Sequence, residues 1–379
     1  MGPLRGVRII EFAGIGPGPF CAMLLADLGA TVLRIDRKDP VQLGLDRPLR
    51  YDIALRNRKA LALDLKRAEE RELALELIGN ADGLIEGFRP GTMERMGLGP
   101  RECLVRNPRI VFGRMTGWGQ SGPLALAAAH DINYIALTGA LASIGRSGQP
   151  PSIPLNLAGD LGGGSLFLAM GMLAAMMESR NSGHGQVVDA AIVDGTASLM
   201  TPWFGMHAAG MMSEGRGNNF VDGGAPFYDS YPCADGKWVS IGPLESRFYA
   251  ELVRLLELDA RKLGAQFDRS CWPEMRRQFA ERFAQQSRSH WCALLEGTDA
   301  CFAPVLDIID APLHPHMKER GVFVEVDGVI QPMPAPRFSR TPTTTPVPFT
   351  PAGPETAAAA LEEWLPASRI ASLRSAGLL

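Results

Sequence analysis

Short apolar runs alternate with helical stretches through the first half of the chain, and this alternation constrains the fold most. Residues 7–12 read as a buried strand, 14–18 as a glycine-rich turn and 20–28 as a helix. Further strands are predicted, in order, at 31–35, 61–63, 83–85, 109–113 and 187–193. Strands that alternate with helices form parallel sheets covered on both faces. The sequence therefore predicts an α/β fold built on a parallel sheet.

The sequence pattern changes after about residue 226. Strands predicted at 228–231 and 238–241 flank Ala234-Asp-Gly236, which is typical of a β-hairpin turn, and helical stretches follow. A chain of 379 residues is longer than one hydrophobic core usually serves. We therefore expect a large domain, a linker, a small α+β domain, and a return segment with a C-terminal helix that packs on the large domain, at 1–195, 196–225, 226–315 and 316–379.

Composition excludes several classes of protein. The net charge is -3 and the pI about 6.1, without the basic excess of a nucleic-acid-binding protein. Six cysteines with no C-x-x-C pair indicate free thiols in a reducing compartment. The first residues lack a secretory-signal pattern, and the longest apolar stretch, 166–177, is too short to span a bilayer. We expect a cytoplasmic protein with no nucleic-acid or membrane partner.

The glycine-rich turn after the first strand resembles a dinucleotide-binding fingerprint. That fingerprint needs a third glycine three residues after the second, so that helix and strand pack closely. From Gly14 and Gly16 the third position is Pro19, and from Gly16 and Gly18 it is Cys21. The pattern therefore predicts no nicotinamide or flavin binding.

Two other stretches hold polar residues in patterns that favour chemistry. His130-Asp131-Ile-Asn-Tyr134 follows the glycine-rich loop MTGWGQSGP, and Asp160, at the end of Asn156-Leu-Ala-Gly-Asp160, opens a long helix predicted to run to about Arg180. An aspartate at that point is an ordinary helix N-cap, so a capping role and a catalytic role both stay open for Asp160. The histidines show no H-E-x-x-H spacing, and we expect no metal site.

Motifs along almost the whole chain resemble those of one known family. They run in one order from Arg8 to about Pro348: GPFCAMLLADLGA, RIDR, RNRKALALDLK, IEGFRPGTMERMGLGP, RMTGWGQSGP, AHDINY, PLNLAGDLGGGSL, GQVVDAAIVDG, DGGAPFYDSY, IGPLESRFY, GTDACFAPV and QPMPAPRFSRT. The chain is similar in them to the class III coenzyme A transferase and racemase superfamily, and within it to the α-methylacyl-CoA racemases. The resemblance implies a large Rossmann-like parallel-sheet domain plus a smaller α+β domain. It also implies an intertwined homodimer, with each site between the large domain of one chain and the small domain of the other.

The resemblance further implies racemisation of 2-methylacyl-CoA thioesters by two-base proton transfer through an enolate. Because the proton must reach either face of a planar enolate, two bases on opposite sides suit the reaction. By match to the family, His130 and Asp160 are these bases, Glu245 holds and tunes the histidine, and Asp131 is a neighbouring acid. The backbone N–H of Asp160 is expected to stabilise the enolate oxygen. No metal or cofactor is implied, since coenzyme A is part of the substrate.

Coenzyme A carries an adenine and several phosphates, which arginine, lysine and aromatic side chains bind well. By match to the family, the residues that line its groove are Arg37, Leu63, Lys66, Arg89, Arg95 and Tyr134. Methionine is soft and adaptable, and we expect the methionines at 200, 206, 211 and 212 to receive the acyl group.

Two other functions stay open. In a class III CoA transferase, Asp160 would attack the thioester and form a mixed anhydride. A transferase needs neither His130 nor Glu245, and their presence favours the racemase. A non-catalytic acyl-CoA-binding protein would have no use for two opposed bases. One departure stands beside Glu245: the family's racemases commonly read GAIEPQFY, whereas this chain has GPLESRFY, with Pro243 and Arg247.

Overall fold

The computed structural model describes residues 2–39, 41, 44–213 and 215–379. The strands are β1 Arg8–Phe12, β2 Thr31–Arg37, β3 Lys59–Leu63, β4 Gly83–Glu86, β5 Val111–Thr116, β6 Val187–Ala191, β7 Asp229–Pro232, β8 Trp238–Ile241, β9 Phe302–Val305, β10 Phe323–Val326 and β11 Val329–Pro332. The α-helices are α1 Pro17–Asp27, α2 Ala68–Gly79, α3 Thr92–Arg95, α4 Pro100–Arg106, α5 Asp131–Leu137, α6 Ala140–Ser143, α7 Phe167–Ser182, α8 Ile192–Leu199, α9 Thr201–Ala208, α10 Ser246–Leu255, α11 Ala260–Leu263, α12 Trp272–Phe283, α13 Arg288–Leu295, α14 Pro315–Glu319, α15 Ala357–Leu361 and α16 Ala367–Ser375. A π-helical run, Leu157–Leu166, leads directly into α7.

Six parallel strands form the central sheet, in the order β3-β2-β1-β4-β5-β6. From β1 the chain adds β2 and β3 on one side of the sheet, and it then adds β4, β5 and β6 on the other side. The strand order therefore reverses between β1 and β4. Open α/β sheets bind ligands at such a switch point, outside the carboxyl ends of the strands. The α/β prediction is confirmed, and the fold points to the turns after β1 and β4 as the place to look for a site.

The sheet is buried on both faces. Because side chains alternate along a strand, Ile10 of β1 packs with α2, α4, α15 and α16, whereas Ile9 packs with α1 and α7. Both isoleucines are almost fully buried. This two-sided burial explains why the strands read in the sequence as continuous apolar runs rather than as alternating ones.

Among the described residues, one helical run, Leu157–Ser182, is long and apolar enough to cross a membrane by length and composition. Its buried side chains pack on the sheet instead. Met172 and Met176 lie where a Cβ of Gly83 would otherwise be, so the glycine lets the helix approach the strand closely. Core helices pass the same test of length and hydropathy, so this run does not indicate a membrane span.

The described chain forms two compact units. The first comprises residues up to 138 together with 155–200 and 321–379, and the second comprises 139–154 and 201–320. In the second unit, an antiparallel sheet, β7-β8-β9, and helices α10 to α13 surround an aromatic core that includes Phe227 and Trp291. The expected hairpin is confirmed as β7 and β8. Residues 139–154, which the sequence analysis assigned to the large domain, fall in the second unit.

Arg56 of the RNRKALALDLK motif has a structural role. Its guanidinium is buried, and it donates to both carboxylate oxygens of Asp27 on α1, at 3.1 and 2.6 Å. It also donates to Gln331 Oε1 at 3.0 Å and to the carbonyl of Pro332 at 2.6 Å. One side chain thus ties β11, late in the chain, to the first helix.

Candidate active site

His130 and Asp131 lie at the amino end of α5. His130 is the N-cap residue and is exposed, whereas Asp131, the first helical residue, is buried. The His130 backbone N–H donates to Asn133 Oδ1 at 3.1 Å. This bond satisfies a group that a helix start leaves free. The local sequence therefore presents an imidazole to solvent and turns the neighbouring carboxylate inward.

The Asp131 carboxylate caps the start of the π-helical run. It accepts the backbone N–H of Asp160 at 2.6 Å and that of Gly159. A Cβ at Gly159 would overlap Asp131 Oδ1, so a glycine is needed there. A carboxylate at this position satisfies free N–H groups and interacts favourably with the helix dipole.

Two expectations for Asp160 are therefore wrong. Asp160 is not the N-cap, because the helical run begins at Leu157 and places Asp160 inside the first turn. Its N–H is also not free for an enolate oxygen, because it is already donated to Asp131. The cap that the sequence analysis expected from Asp160 comes instead from a residue on another helix.

The π geometry of 157–166 depends on its glycines. Four of the ten residues are glycine, and α8 packs directly against them. A Cβ at Gly195 of α8 would overlap the carbonyl oxygen of Gly163. π-helical turns are rare and often mark functional sites. Here the wide turn carries Asp160 in its first residues.

The Asp160 side chain lies against the turn that follows β1. Gly16 in this turn has a φ of 68°, and a Cβ there would come within 3.3 Å of Asp160 Oδ2. Asn156 donates to the same oxygen at 3.5 Å, and Ser165 Oγ donates to the carbonyl oxygens of Pro17 at 2.8 Å and Asp160 at 3.0 Å. The sequence analysis did not assign these neighbours to the site. The glycine-rich turn was the available signal, and it forms the wall of the site at the switch point.

The two carboxylates of the cluster differ in their surroundings. Burial, with a further contribution from the charge of Asp131, raises the pKa of Asp160 to about 6, against the opposing effects of Asn156 and of the His130 charge. Burial also raises the pKa of Asp131, but the N–H groups of Gly159 and Asp160 oppose this. Neighbouring carboxylates resist double ionisation. A carboxyl group that titrates near neutrality is suited to accept a proton and return it.

Tyr134 joins this cluster from the next turn of α5. Its hydroxyl donates to the carbonyl of Ala129 at 2.6 Å, and its ring packs edge-to-face on Trp118 at 4.8 Å between centroids. The ring occupies the place where Gly117 would carry a Cβ. Burial, followed by the charges of the two carboxylates, raises the pKa of Tyr134. The structure thus brings Tyr134 to the acidic pair.

The basic residues predicted to bind coenzyme A follow the carboxyl ends of the strands. Arg37 ends β2 and pairs in register with Leu63, the last residue of β3. Lys66 follows β3, Arg89 follows β4 and Arg95 ends α3; all four basic residues are exposed. The Leu63 side chain is buried in the core, so only its main chain can face a ligand. Carboxyl ends of parallel strands share one edge of the sheet, and Gly16 beside Asp160 follows β1 at that edge.

Glu245 belongs to the second unit, where it is the exposed N-cap residue of α10. Gln266 Nε2 holds the preceding turn by donating to the carbonyls of Pro243 and of the next residue, both at 3.0 Å. The Arg247 guanidinium lies over the Phe248 ring, 4.3 Å from its centroid. Pro243 and Arg247, two of the residues that depart from the family's usual motif, therefore both make contacts within the second unit.

Two further expectations concern metals and the acyl group. Within the described part of the chain, no group of three or more histidine, cysteine or carboxylate side chains is arranged to hold a metal ion. Of the methionines expected to receive the acyl group, Met200 lies in the first unit, and Met206, Met211 and Met212 lie in the second.

Comparison with known proteins agrees with this architecture. The family model described as CoA-transferase family III matches residues 4–358. The chain is 44% identical over 341 residues to mouse alpha-methylacyl-CoA racemase (*Mus musculus*), covering 89% of this chain and 87% of that protein. It is 42% identical over 342 residues to the human protein of the same name (*Homo sapiens*), again covering 89% and 87%. A crystal structure of a CaiB/BaiF family protein from Brucella suis superposes on this chain with a TM-score of 0.81 at 24% identity. The match covers 96% of this chain and 100% of that one, so the two proteins share a fold. Because the matches run over most of the chain, the protein belongs to CoA-transferase family III.

Proposed function

We propose that the protein interconverts the 2R and 2S forms of 2-methylacyl-CoA thioesters by moving the α-proton through an enolate. The observation that carries the proposal is the half-buried Asp160 carboxyl group, whose pKa is raised to about 6. Burial and the charge of Asp131 raise this pKa, and the charge of His130 lowers it. Two relatives at 44% and 42% identity carry the name alpha-methylacyl-CoA racemase. The site thus holds a carboxyl group that can take up a proton near neutral pH and a histidine, the residue type used most often for proton transfer.

In the proposed mechanism, one group of the pair acts as a base and removes the proton, and the other acts as an acid and returns a proton. The α-carbon–hydrogen bond breaks as Asp160 takes the proton, and His130 then delivers a proton to the opposite face of the enolate. The reverse reaction exchanges these roles. Asp131 holds the start of the helical run that carries Asp160, so it fixes the base against the substrate. Because the Asp160 N–H is already used, other donors must stabilise the enolate oxygen.

The substrate supplies its own activating group. A thioester acidifies its α-proton, and substrate and product have the same oxidation state, so the reaction needs no redox cofactor and no metal. We propose that the exposed cations Arg37, Lys66, Arg89 and Arg95 bind the phosphates of coenzyme A at the carboxyl edge of the sheet. We further propose a cytoplasmic enzyme that binds neither nucleic acid nor membranes.

We propose that the working enzyme is a homodimer. Glu245 lies in the second unit and is exposed, and the family resemblance assigns it to the histidine base. In an intertwined dimer, the small domain of one chain supplies this glutamate to the large domain of the other. Sedimentation at high dilution tests the arrangement, since a folded and active monomer would contradict a shared site.

The experiment that tests the function follows the α-proton. One epimer of a 2-methylacyl-CoA is incubated with pure protein in D₂O, without acceptor acid or cofactor, and the α-hydrogen is followed by NMR. Exchange with loss of stereochemical purity is expected. Transfer of coenzyme A to an added carboxylate would instead support a transferase with Asp160 as nucleophile. Tight binding without either reaction would support a non-catalytic acyl-CoA-binding protein.

Two variants test the assigned bases. Asp160→Ala and His130→Ala each remove one proton-transfer group, so turnover should fall by roughly 10²- to 10⁴-fold while acyl-CoA binding is largely kept. Calorimetric titration with the thioester measures the binding in parallel. Unchanged turnover in either variant would remove that residue from the mechanism.

A further inference from the structure

A charged row crosses three neighbouring strands at the carboxyl edge of the sheet. Glu86 of β4 pairs in register with Arg114 of β5, which pairs in turn with Asp189 of β6. Glu86 and Arg114 are 3% and 8% exposed, so this ion pair is formed away from water. Glu86 Oε2 also accepts the backbone N–H of Phe88 at 2.7 Å, which fixes the first residues of the loop after β4.

The Arg114 guanidinium contacts three different segments. Its Nε lies 3.4 Å from Glu86 Oε1 at the end of β4. Its Nη1 donates to Gln120 Oε1 at 2.8 Å in the loop after β5. Its Nη2 donates to Glu94 on α3, and its face lies over the Phe112 ring at 5.2 Å. The guanidinium therefore donates hydrogen bonds to Gln120 and Glu94 and forms an ion pair with Glu86, a set of contacts that a lysine ammonium would not reproduce.

The segments joined by this guanidinium lead to the two halves of the proposed site. The loop after β4 and α3 carry Arg89 and Arg95, the proposed phosphate-binding residues. The loop after β5 carries Trp118, whose ring packs on Tyr134 of the catalytic helix α5. Gln120 is held in this loop a second time, because its backbone N–H donates to Asp189 Oδ2 at 3.1 Å.

We propose that Arg114 is a positioning residue that sets the spacing between the coenzyme A-binding loop after β4 and the loop that leads to α5. The inference rests on the proposed function of this site. A buried ion pair commonly adds little stability compared with apolar side chains of the same size. What it provides is geometry, since a planar fork with several fixed acceptors allows only one arrangement. Burial raises the pKa of Glu86 to about 7, against the opposing effects of the Phe88 N–H and of the Arg114 charge.

The test uses Arg114→Lys, which keeps the charge and loses the three-way contact. We expect the Kd for free coenzyme A and the KM for the thioester to rise roughly tenfold, and kcat to fall by a similar factor, because small displacements of reacting groups are costly. Arg369→Lys is the matched control, since Arg369 pairs with Glu76 outside this cluster and should leave all three values unchanged. A fall in thermal stability with Kd, KM and kcat unchanged in the folded protein would overturn the proposal.

Two variants each change one contact of Arg114. The coenzyme A arm is the bond to Glu94 on α3, and the catalytic arm is the bond to Gln120 in the loop that leads to α5. Glu94→Gln weakens only the coenzyme A arm, so Kd should rise while kcat stays near that of the wild type. Gln120→Ala removes only the catalytic arm, so kcat should fall while Kd for free coenzyme A is kept. The inference would be overturned if both variants had the same effects. It would also be overturned if Glu94→Gln changed only kcat and Gln120→Ala changed only Kd. Calorimetry with free coenzyme A needs no turnover, so it tests the coenzyme A arm even if the wild-type protein fails the α-proton exchange test.

Discussion

Replacing Asp160 with asparagine separates the proposed catalytic use of this side chain from its cost to folding. The pKa rises from 3.8 to about 6 in the folded protein, and each unit corresponds to about 1.4 kcal/mol. The ionised group would then cost the folded state about 3 kcal/mol. Because the side chain is only partly buried, solvent screening reduces this to about 1–2 kcal/mol.

The sign of the pH dependence follows from the raised pKa. The folded protein binds this proton more tightly than the unfolded chain, so stability falls as pH rises from 3.8 through about 6. Asparagine has the same shape and no charge. Asp160→Asn should therefore be more stable than the wild type by about 1–2 kcal/mol at pH 8, by the same conversion. The gain should vanish near pH 4.

Urea unfolding at the two pH values, followed by tryptophan fluorescence, measures this difference, and α-proton exchange is measured on the same preparations. Exchange should fall by at least roughly 10²-fold in the variant. Asp46→Asn, at an exposed loop carboxylate, is the control and should show no such pH-dependent gain. A variant that is destabilised at pH 8 would refute the reasoning, because the ionised carboxylate would then support the fold.

Three further predictions address binding, packing and thiol reactivity. Arg95→Ala should raise KM for the acyl-CoA with little change in kcat; steady-state kinetics would contradict phosphate anchoring if only kcat changed. Gly195→Ala should lower stability by about 1–3 kcal/mol, because its Cβ would overlap the Gly163 carbonyl; a wild-type melting temperature would contradict this close contact. Cys21 should resist a thiol reagent in the native protein while the exposed Cys301 reacts, because burial raises the pKa of the Cys21 thiol. Mass spectrometry identifies the labelled cysteines, and rapid labelling of Cys21 would show that it is not buried.

The fold could be predicted where the hydrophobic pattern was strong and punctuated by turns. The strands β1, β2 and β4 and the hairpin of the second unit were found in this way. The helix α5 gave no such signal, because it has only seven residues and its Ile132 and Leu137 are exposed. The start of α8 was also missed. Ala191 ends β6 and Ile192 begins the helix without an intervening turn residue, so the apolar run read as a longer strand.

For the candidate site, the sequence analysis named residues but not the bonds between them. The resemblance named His130, Asp131 and Asp160, but the bond from the Asp160 N–H to Asp131 joins residues 29 positions apart. No local pattern encodes such a contact. The glycine-rich turn after β1 was visible in the sequence, yet its use depends on the φ of Gly16 and on what lies opposite, which only the folded chain defines.

The two neighbouring carboxylates lie in different surroundings, and this difference suits Asp160 to the proposed role of base. Burial raises the pKa of both, but two backbone N–H groups oppose this at Asp131, whereas Asp160 has only a long bond from Asn156 and the charge of His130. Acid and base roles arise where environments separate the pKa values of paired groups. The two N–H groups favour the ionised form of Asp131 against its burial, and burial together with the charge of Asp131 raises the pKa of Asp160. Burial of Asp160 beside the charge of Asp131 thus places the pKa of the proposed base near neutrality, and the bond from its N–H to Asp131 fixes the start of the helical run that carries it.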